Sequence, residues 1–212
     1  MEKIMKKKVG IMGGTFNPVH NGHLLLAESA RETFGLDEIL FMPSGNSYMK
    51  DAASILDGET RAHMTELAIE GNPFFRLSRI ELERKGPTYT CDTLSQLKEQ
   101  DGDSRYFFIM GADNLFILEK WKDVEYIFQN CVIAAAARGD ETDGEIRQRA
   151  ELLRKRYRAD IRLLLERRID ISSLEIRERL RKGQSVRYLL PDSVLAYIAQ
   201  ENLYRQEAPK NG

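Results

Sequence analysis

The sequence predicts a doubly wound α/β fold, in which helices cover both faces of a parallel sheet. Short apolar segments alternate along the chain with longer segments of helical periodicity, as they do in successive βαβ units. The chain has 212 residues, of which 42% are hydrophobic, and this suffices for one sizeable α/β domain. We therefore expect residues 1–212 to form a single domain with a small helical part at its C-terminal end.

Apolar runs bounded by turn residues predict the strands. The first run, Val9-Gly10-Ile11-Met12, leads directly into Gly13-Gly14, and the second ends at Pro43. The predicted strands cover residues 9–12, 38–42, 74–83, 105–110, 130–137 and 161–165.

Apolar residues three and four positions apart predict the helices, as with Met64, Leu67 and Ala68. Gly35 and Gly183 follow two of these segments, where a glycine commonly ends a helix. The predicted helices cover residues 20–34, 60–70, 90–100, 147–157, 174–182 and 192–200. This order is typical of a Rossmann-like sheet, which binds ligands at the carboxyl ends of its strands.

The turn between the first strand and the first helix predicts a phosphate site. It reads Gly13-Gly14-Thr15-Phe16-Asn17-Pro18-Val19-His20-Asn21-Gly22-His23 and holds two of the chain's three histidines. A helix start favours anions, and glycines let a ligand approach the backbone closely. His20 and His23 are three positions apart and would share one face. A zinc site would need a third ligand, and no other His or Cys stands at a suitable spacing.

A second segment, Ile171-Ser172-Ser173-Leu174-Glu175-Ile176-Arg177, has the pattern of a helix start. Ser172 and Glu175 form a capping box, and Ser173 and Arg177 then lie four positions apart on one helical face. Taken alone, the segment also fits an ordinary capped surface helix.

Composition excludes several classes of protein. The net charge of −1 and the pI of about 6.4 leave no basic footprint for nucleic acid. The two cysteines form no C-x-x-C pair, which favours a reducing compartment. The basic N-terminus is not followed by the apolar region of a secretory signal, and no run is long enough to cross a membrane. We expect a cytoplasmic protein.

The first segment resembles the H-x-G-H motif of the nucleotidylyltransferases, and the second is similar to their I-S-S-T-x-I-R signature. Further segments resemble bacterial nicotinate-nucleotide adenylyltransferases, and the likeness covers nearly the whole chain in order. These segments are Pro87-Thr88-Tyr89-Thr90-Cys91-Asp92-Thr93-Leu94, Phe108-Ile109-Met110-Gly111-Ala112-Asp113, Trp121, and Ser185-Val186-Arg187-Tyr188-Leu189-Leu190-Pro191 with Tyr197 and Leu203-Tyr204.

That family transfers AMP from ATP to nicotinic acid mononucleotide, giving deamido-NAD and pyrophosphate without a covalent intermediate. The resemblance implies that His20, His23 and Arg177 are catalytic, and that Mg²⁺ is held by ATP phosphates with no protein metal site. It implies an ATP site formed by Gly13, Gly14, Thr15, Phe16, His20, His23, Gly111, Asp113, Ser172, Ser173 and Arg177. It implies a mononucleotide site formed by Thr88, Tyr89, Trp121 and Lys50.

Some of these residues have a plain structural interpretation as well. Asp113 equally fits a cap of the next helix, Trp121 a core residue, and Thr88 and Tyr89 the end of a strand. Lys50 equally fits a solvated loop lysine.

The chain departs from the family pattern at three places. Leu174 replaces the threonine of the second signature. Asn46-Ser47-Tyr48-Met49-Lys50 replaces N-P-P-H-K, so the histidine of that loop is missing. Arg138-Gly139-Asp140 stands where an Arg-Pro-Gly turn is usual.

Other functions remain as alternatives at this stage. They are an adenylyltransferase for nicotinamide mononucleotide, a phosphopantetheine adenylyltransferase, and a nucleotide-binding protein without activity. A dinucleotide-binding dehydrogenase and a P-loop ATPase are disfavoured, because neither G-x-G-x-x-G nor G-x-x-x-x-G-K-[ST] occurs. The sequence leaves the oligomeric state open, a homo-oligomer included.

Overall fold

A computed structural model describes residues 6–45, 55–137, 142–164 and 170–204. The strands within these ranges are β1 (Lys8–Gly14), β2 (Glu38–Pro43), β3 (Phe75–Leu77), β4 (Arg105–Gly111), β5 (Cys131–Ala136) and β6 (Ile161–Leu164). The α-helices are α1 (Asn21–Phe34), α2 (Gly58–Ile69), α3 (Thr90–Gln100), α4 (Val124–Asn130), α5 (Asp143–Tyr157), α6 (Ser173–Arg181) and α7 (Asp192–Gln200).

The strands form one parallel sheet in the order β3-β2-β1-β4-β5-β6. From β1 the chain proceeds outward to β3, and it then returns to place β4 on the other side of β1. Val9 pairs with Glu38 on one side and with Tyr106 on the other. The point where the order reverses is the usual ligand site of such sheets.

Side chains of successive strand residues enter two separate cores. In β4, Phe107 and Ile109 belong to the core beneath α1, α2, α6 and α7, whereas Phe108 and Met110 belong to the core beneath α3, α4 and α5. All four side chains are buried. Helices therefore cover both faces of the sheet, which confirms the predicted Rossmann-like fold.

The predicted strand over residues 74–83 is wrong in its length, since β3 ends at Leu77. Beyond it, the amides of Leu82 and Glu83 donate to the carbonyl of Arg79 in a turn. Ile80 lies in this turn and its side chain is buried. The alternation of apolar and polar residues therefore continues past Leu77, although the strand does not. β3 is the edge strand of the sheet and pairs only with β2 among the described strands.

Other parts of the chain also differ from the sequence prediction. The short helix α4 was not predicted, although Val124, Ile127 and Phe128 have helical spacing. The helix predicted from residue 147 begins at Asp143, where Thr142 and Glu145 form a capping box. Asp113 does not cap a helix, because it lies inside the 3₁₀ turn Ala112–Phe116.

No helix in the described part of the chain is long and apolar enough to span a membrane.

Candidate active site

One cavity of about 790 Å³ lies at the carboxyl ends of the central strands. It is lined by every predicted site residue that the structure describes. These are Gly13, Gly14, Thr15, Phe16, His20, His23, Thr88, Tyr89, Gly111, Asp113, Trp121, Ser172, Ser173 and Arg177. Lys50 lies outside the described residues, as do the loop of residues 46–50 and the turn of residues 138–140.

The two histidines form a stacked pair at the start of α1. Their ring centroids are 3.6 Å apart and the rings are 23° from parallel. His20 occupies the N-cap position and is buried, and its backbone N–H donates to Nδ1 of His23 over 3.2 Å. Because Nδ1 of His23 accepts this bond, the proton of a neutral His23 ring lies on Nε2. The backbone thereby makes His23 Nε2 a hydrogen-bond donor.

Phe16 packs against the histidine pair. Its ring meets the ring of His23 edge to face, with centroids 4.9 Å apart. Phe16 is buried and has a positive φ of 50°. A Cβ on Gly14 would lie 2.8 Å from the Phe16 ring, so only glycine leaves room for it. The glycine turn thus leaves room for the Phe16 ring that contacts His23.

The second motif begins α6 as the sequence predicts. The hydroxyl of Ser172 accepts a hydrogen bond of 3.1 Å from the backbone N–H of Glu175, which caps the helix. Ser173 Oγ donates to the carbonyl of Pro18 over 2.8 Å, and Arg177 Nη1 donates to the carbonyl of Asn17 over 2.8 Å. The shared face of this helix is therefore joined to the loop of the first motif.

Asn17 is the centre of this junction and was not predicted as a site residue. Its side-chain oxygen accepts hydrogen bonds from the hydroxyl of Tyr204 at 2.8 Å and from the backbone N–H of Leu56 at 3.4 Å. Burial raises the pKa of Tyr204, with Arg177 and Arg61 acting in the opposite direction. The hydroxyl therefore keeps its proton and remains a donor to Asn17.

Arg61 of α2 is a second supporting residue that sequence reasoning missed. It is only 4% exposed. It donates to the carbonyls of Leu56 at 2.9 Å, Thr15 at 2.7 Å and Ser44 at 2.8 Å. Burial lowers the pKa of Arg61 because the charged form loses hydration. Its three bonds connect the loops that follow β1 and β2.

The opposite part of the cavity is lined by Thr88, Tyr89 and Trp121. Thr88 is buried, and Tyr89 is the N-cap residue of α3. Trp121 packs against the core and meets Phe108 edge to face at 5.9 Å. Its indole nitrogen is buried and has no acceptor among the described residues. Trp121 is therefore both a core residue and a wall of the cavity.

Glu81 is a partly buried carboxyl that lines the cavity together with Thr88, and the sequence did not reveal it. Thr93 Oγ1 donates to Glu81 Oε1 over 2.9 Å, and Arg84 Nη1 donates to Thr93 over 3.0 Å. The Thr88 hydroxyl and the backbone N–H of Gly45 also donate to this carboxyl. Burial raises the pKa of Glu81 despite these donors. Its oxygens are thus engaged in holding the walls of the cavity together.

Among the described residues, the cavity walls do not supply a protein cage for a metal ion. In the described ranges, no three His, Cys, Asp or Glu side chains are grouped so that they could hold one. The side chains at the phosphate motifs are mainly hydrogen-bond donors, which suit phosphate oxygens. This donor set fits a Mg²⁺ ion that is carried by phosphates, because Mg²⁺ prefers oxygen ligands and retains several waters.

Comparison with known proteins identifies the family. The cytidylyltransferase-like family model matches residues 11–179. A protein of Lachnoclostridium phytofermentans described as a probable nicotinate-nucleotide adenylyltransferase is 46% identical over 93% of this chain and 99% of its own length. The chain belongs to the nicotinate-nucleotide adenylyltransferases within the cytidylyltransferase-like family.

Similarity to other nicotinate-nucleotide adenylyltransferases supports this family assignment. A relative from Dehalococcoides mccartyi, also described as probable, is 40% identical over 94% of this chain and 98% of its own length. The Plasmodium falciparum nicotinic acid mononucleotide adenylyltransferase complexed with APC has a TM-score of 0.76 at 20% identity, covering 93% of this chain and 97% of that chain. The same enzyme complexed with NaAD has a TM-score of 0.74 at 21% identity, with the same coverage. The two solved structures show that the fold is shared.

Proposed function

We propose that this nucleotidyltransferase transfers AMP from ATP to nicotinic acid mononucleotide, releasing deamido-NAD and pyrophosphate. The observation that carries the proposal is the convergence of both phosphate motifs on one cavity. His20, His23, Ser173 and Arg177 line the same space as Thr88, Tyr89 and Trp121. The relatives named for this reaction, at 40% and 46% identity, support the choice of acceptor.

The reaction exchanges one phosphorus–oxygen bond for another. A phosphate oxygen of the mononucleotide attacks the α-phosphorus of ATP, and the bond to the β-phosphate oxygen breaks, so that pyrophosphate leaves. No protein nucleophile takes part. Catalysis then consists of holding the two phosphates in line and stabilising the charge that develops on the transferring group.

His20 and His23 act at the transferring phosphoryl group. They stand at the N-terminus of α1, where the helix dipole and backbone N–H groups favour negative charge. The bond from the His20 backbone to His23 Nδ1 leaves Nε2 of His23 as the donor to a phosphate oxygen. Removal of one such donor commonly costs a factor of roughly 10²–10³ in kcat.

Ser173 and Arg177 act at the leaving pyrophosphate. Arg177 Nη1 is held by the carbonyl of Asn17, while its Nε has no acceptor among the described residues. A guanidinium offers several donors in one plane, so it can be fixed by the loop and still bind phosphate oxygens. Mg²⁺, held by the phosphate oxygens of ATP, would supply further neutralisation of their charge.

A panel of acceptors tests this function. Purified protein is incubated with ATP, Mg²⁺ and one acceptor at a time: nicotinic acid mononucleotide, nicotinamide mononucleotide or phosphopantetheine. Pyrophosphate release is measured, and the nucleotide product is separated by chromatography. We expect turnover to be fastest with nicotinic acid mononucleotide. Equal or faster turnover with phosphopantetheine would overturn the substrate assignment, and no turnover with any acceptor would indicate a binding protein.

A further inference from the structure

Lys122 lines the cavity next to Trp121, at the end that the proposed function assigns to the acceptor, and was not predicted as a site residue. Its Nζ lies 3.1 Å and 3.2 Å from the two carboxylate oxygens of Asp92. The same nitrogen lies 4.4 Å from the centre of the Tyr89 ring. The hydrogen bond with Asp92 raises the pKa of Lys122. Lys122 is thus a cation held in one place by two neighbours.

The ammonium retains capacity for a ligand. A lysine ammonium has three N–H donors, and the oxygens of Asp92 accept two of them. The Lys122 side chain is 51% exposed, so a group that enters the cavity can reach it. Asp92 offsets part of the charge, but one N–H donor of the ammonium stays available to a ligand.

Two of the polar groups at this end of the cavity can only donate hydrogen bonds. The Lys122 ammonium and the Trp121 indole N–H are donors only, and the indole N–H has no acceptor among the described residues. The carboxyl of Glu81 would be the acceptor for an amide NH₂, but Thr93, Thr88 and Gly45 already donate to it. A carboxylate can accept from the Lys122 ammonium and the Trp121 indole N–H, whereas the NH₂ of a carboxamide gains no hydrogen bond from these two donors.

From this arrangement we propose that Lys122 is the residue that selects a ring carboxylate over a carboxamide in the acceptor mononucleotide. The proposal rests on the proposed function and specifies its substrate preference. Lys122 is a specificity residue: it contacts the acceptor ring substituent and takes no part in the transfer at phosphorus.

The test compares Lys122→Met with Lys122→Arg and with the matched control Lys120→Met. Lys120 is an exposed lysine two positions earlier that does not line the cavity. For each protein, kcat and KM are measured with nicotinic acid mononucleotide and with nicotinamide mononucleotide at saturating ATP. The readout is the ratio of kcat/KM for the acid to that for the amide.

We expect Lys122→Met to lower this ratio by about 2- to 5-fold, the range for an ion pair at a half-exposed side chain. The loss should lie in KM for the acid, with KM for ATP unchanged. Lys122→Arg should retain most of the preference, and Lys120→Met all of it. Added salt should lower the ratio in the wild type and have little effect in Lys122→Met, because salt screens exposed charges.

Calorimetric titration with each mononucleotide alone separates this proposal from the proposed function. If the wild type turns over neither acceptor, the proposed function fails, and the dissociation constants still report the preference. Weaker binding of the acid alone in Lys122→Met supports the proposal. An unchanged ratio, or an equal loss for acid and amide, overturns it and leaves the reaction assignment intact.

Discussion

Arg177 Nη1 donates a hydrogen bond of 2.8 Å to the backbone carbonyl of Asn17, across 160 positions of sequence. Ser173 makes a parallel contact of 2.8 Å to the carbonyl of Pro18. Through these bonds the two phosphate motifs become one rigid surface. A substitution that removes the Ser173 or Arg177 donor therefore weakens the contact between the two motifs.

His23→Ala tests the histidine pair. We expect kcat to fall by roughly 10²–10³, because a donor to the transferring phosphate is lost. The affinity for the mononucleotide should change little, and the protein should remain folded. His63→Ala is the matched control, since His63 is exposed on α2. A His23→Ala protein that loses thermal stability but keeps its kcat would show that the pair is structural.

Arg177→Lys separates phosphate binding from loop support. Lysine can still donate to the carbonyl of Asn17, but it cannot also present a planar set of donors to the pyrophosphate. We expect kcat/KM for ATP to fall by about 10- to 100-fold with a small change in thermal stability. Arg181→Lys, one turn further along α6 and exposed, should behave as wild type. Lower stability with normal ATP kinetics would assign Arg177 to the loop alone.

Arg61→Met tests the buried support of the loops. Three carbonyls lose their charged donor, and we expect the free energy of unfolding to fall by about 3 kcal/mol. Arg76→Met, on the exposed side of β3, is the control. It should lower the free energy of unfolding by less than about 1 kcal/mol, because exposed ion pairs contribute little. Urea unfolding of the three proteins measures the difference. Equal midpoints for Arg61→Met and wild type would contradict the role of Arg61.

Much of the candidate site, as the residues that line the cavity, could be predicted because its signals are local. The glycine turn, the paired histidines and the cap at Ser172 each lie within a few residues of sequence. Fold class followed in the same way from the alternation of apolar and periodic segments. The predicted length of β3 was wrong for a physical reason. Ile80 is buried although it lies in a turn, so the apolar alternation extends beyond the end of the strand.

The supporting residues could not be predicted because their contacts are long-range. Arg61 resembles any helix arginine in sequence, and only the packed structure buries it under three carbonyls. Tyr204 reaches Asn17 across 187 positions. The pairing of Lys122 with Asp92 joins α3 to the segment before α4, and no spacing in the sequence indicates it.

Leu174→Thr tests the departure in the second motif. Leu174 lines the cavity and is 55% exposed, so its side chain is accessible to a ligand. A new hydroxyl that reaches a phosphate should raise the apparent affinity for ATP by roughly two- to tenfold, which is the contribution of one neutral hydrogen bond. If Lys50 already supplies this contact, Leu174→Thr is neutral and Lys50→Ala weakens ATP binding. No effect from either substitution would place both residues away from the phosphates.

The most direct test of adenylyl transfer is to trace the α-phosphorus of ATP itself. The protein is incubated with ATP labelled at the α-phosphorus, Mg²⁺ and nicotinic acid mononucleotide, and the label is traced in the products and on the protein. Direct transfer predicts that the label appears in deamido-NAD, in step with unlabelled pyrophosphate, and never on the protein. Label bound covalently to the protein, or released only as free AMP, would contradict direct transfer.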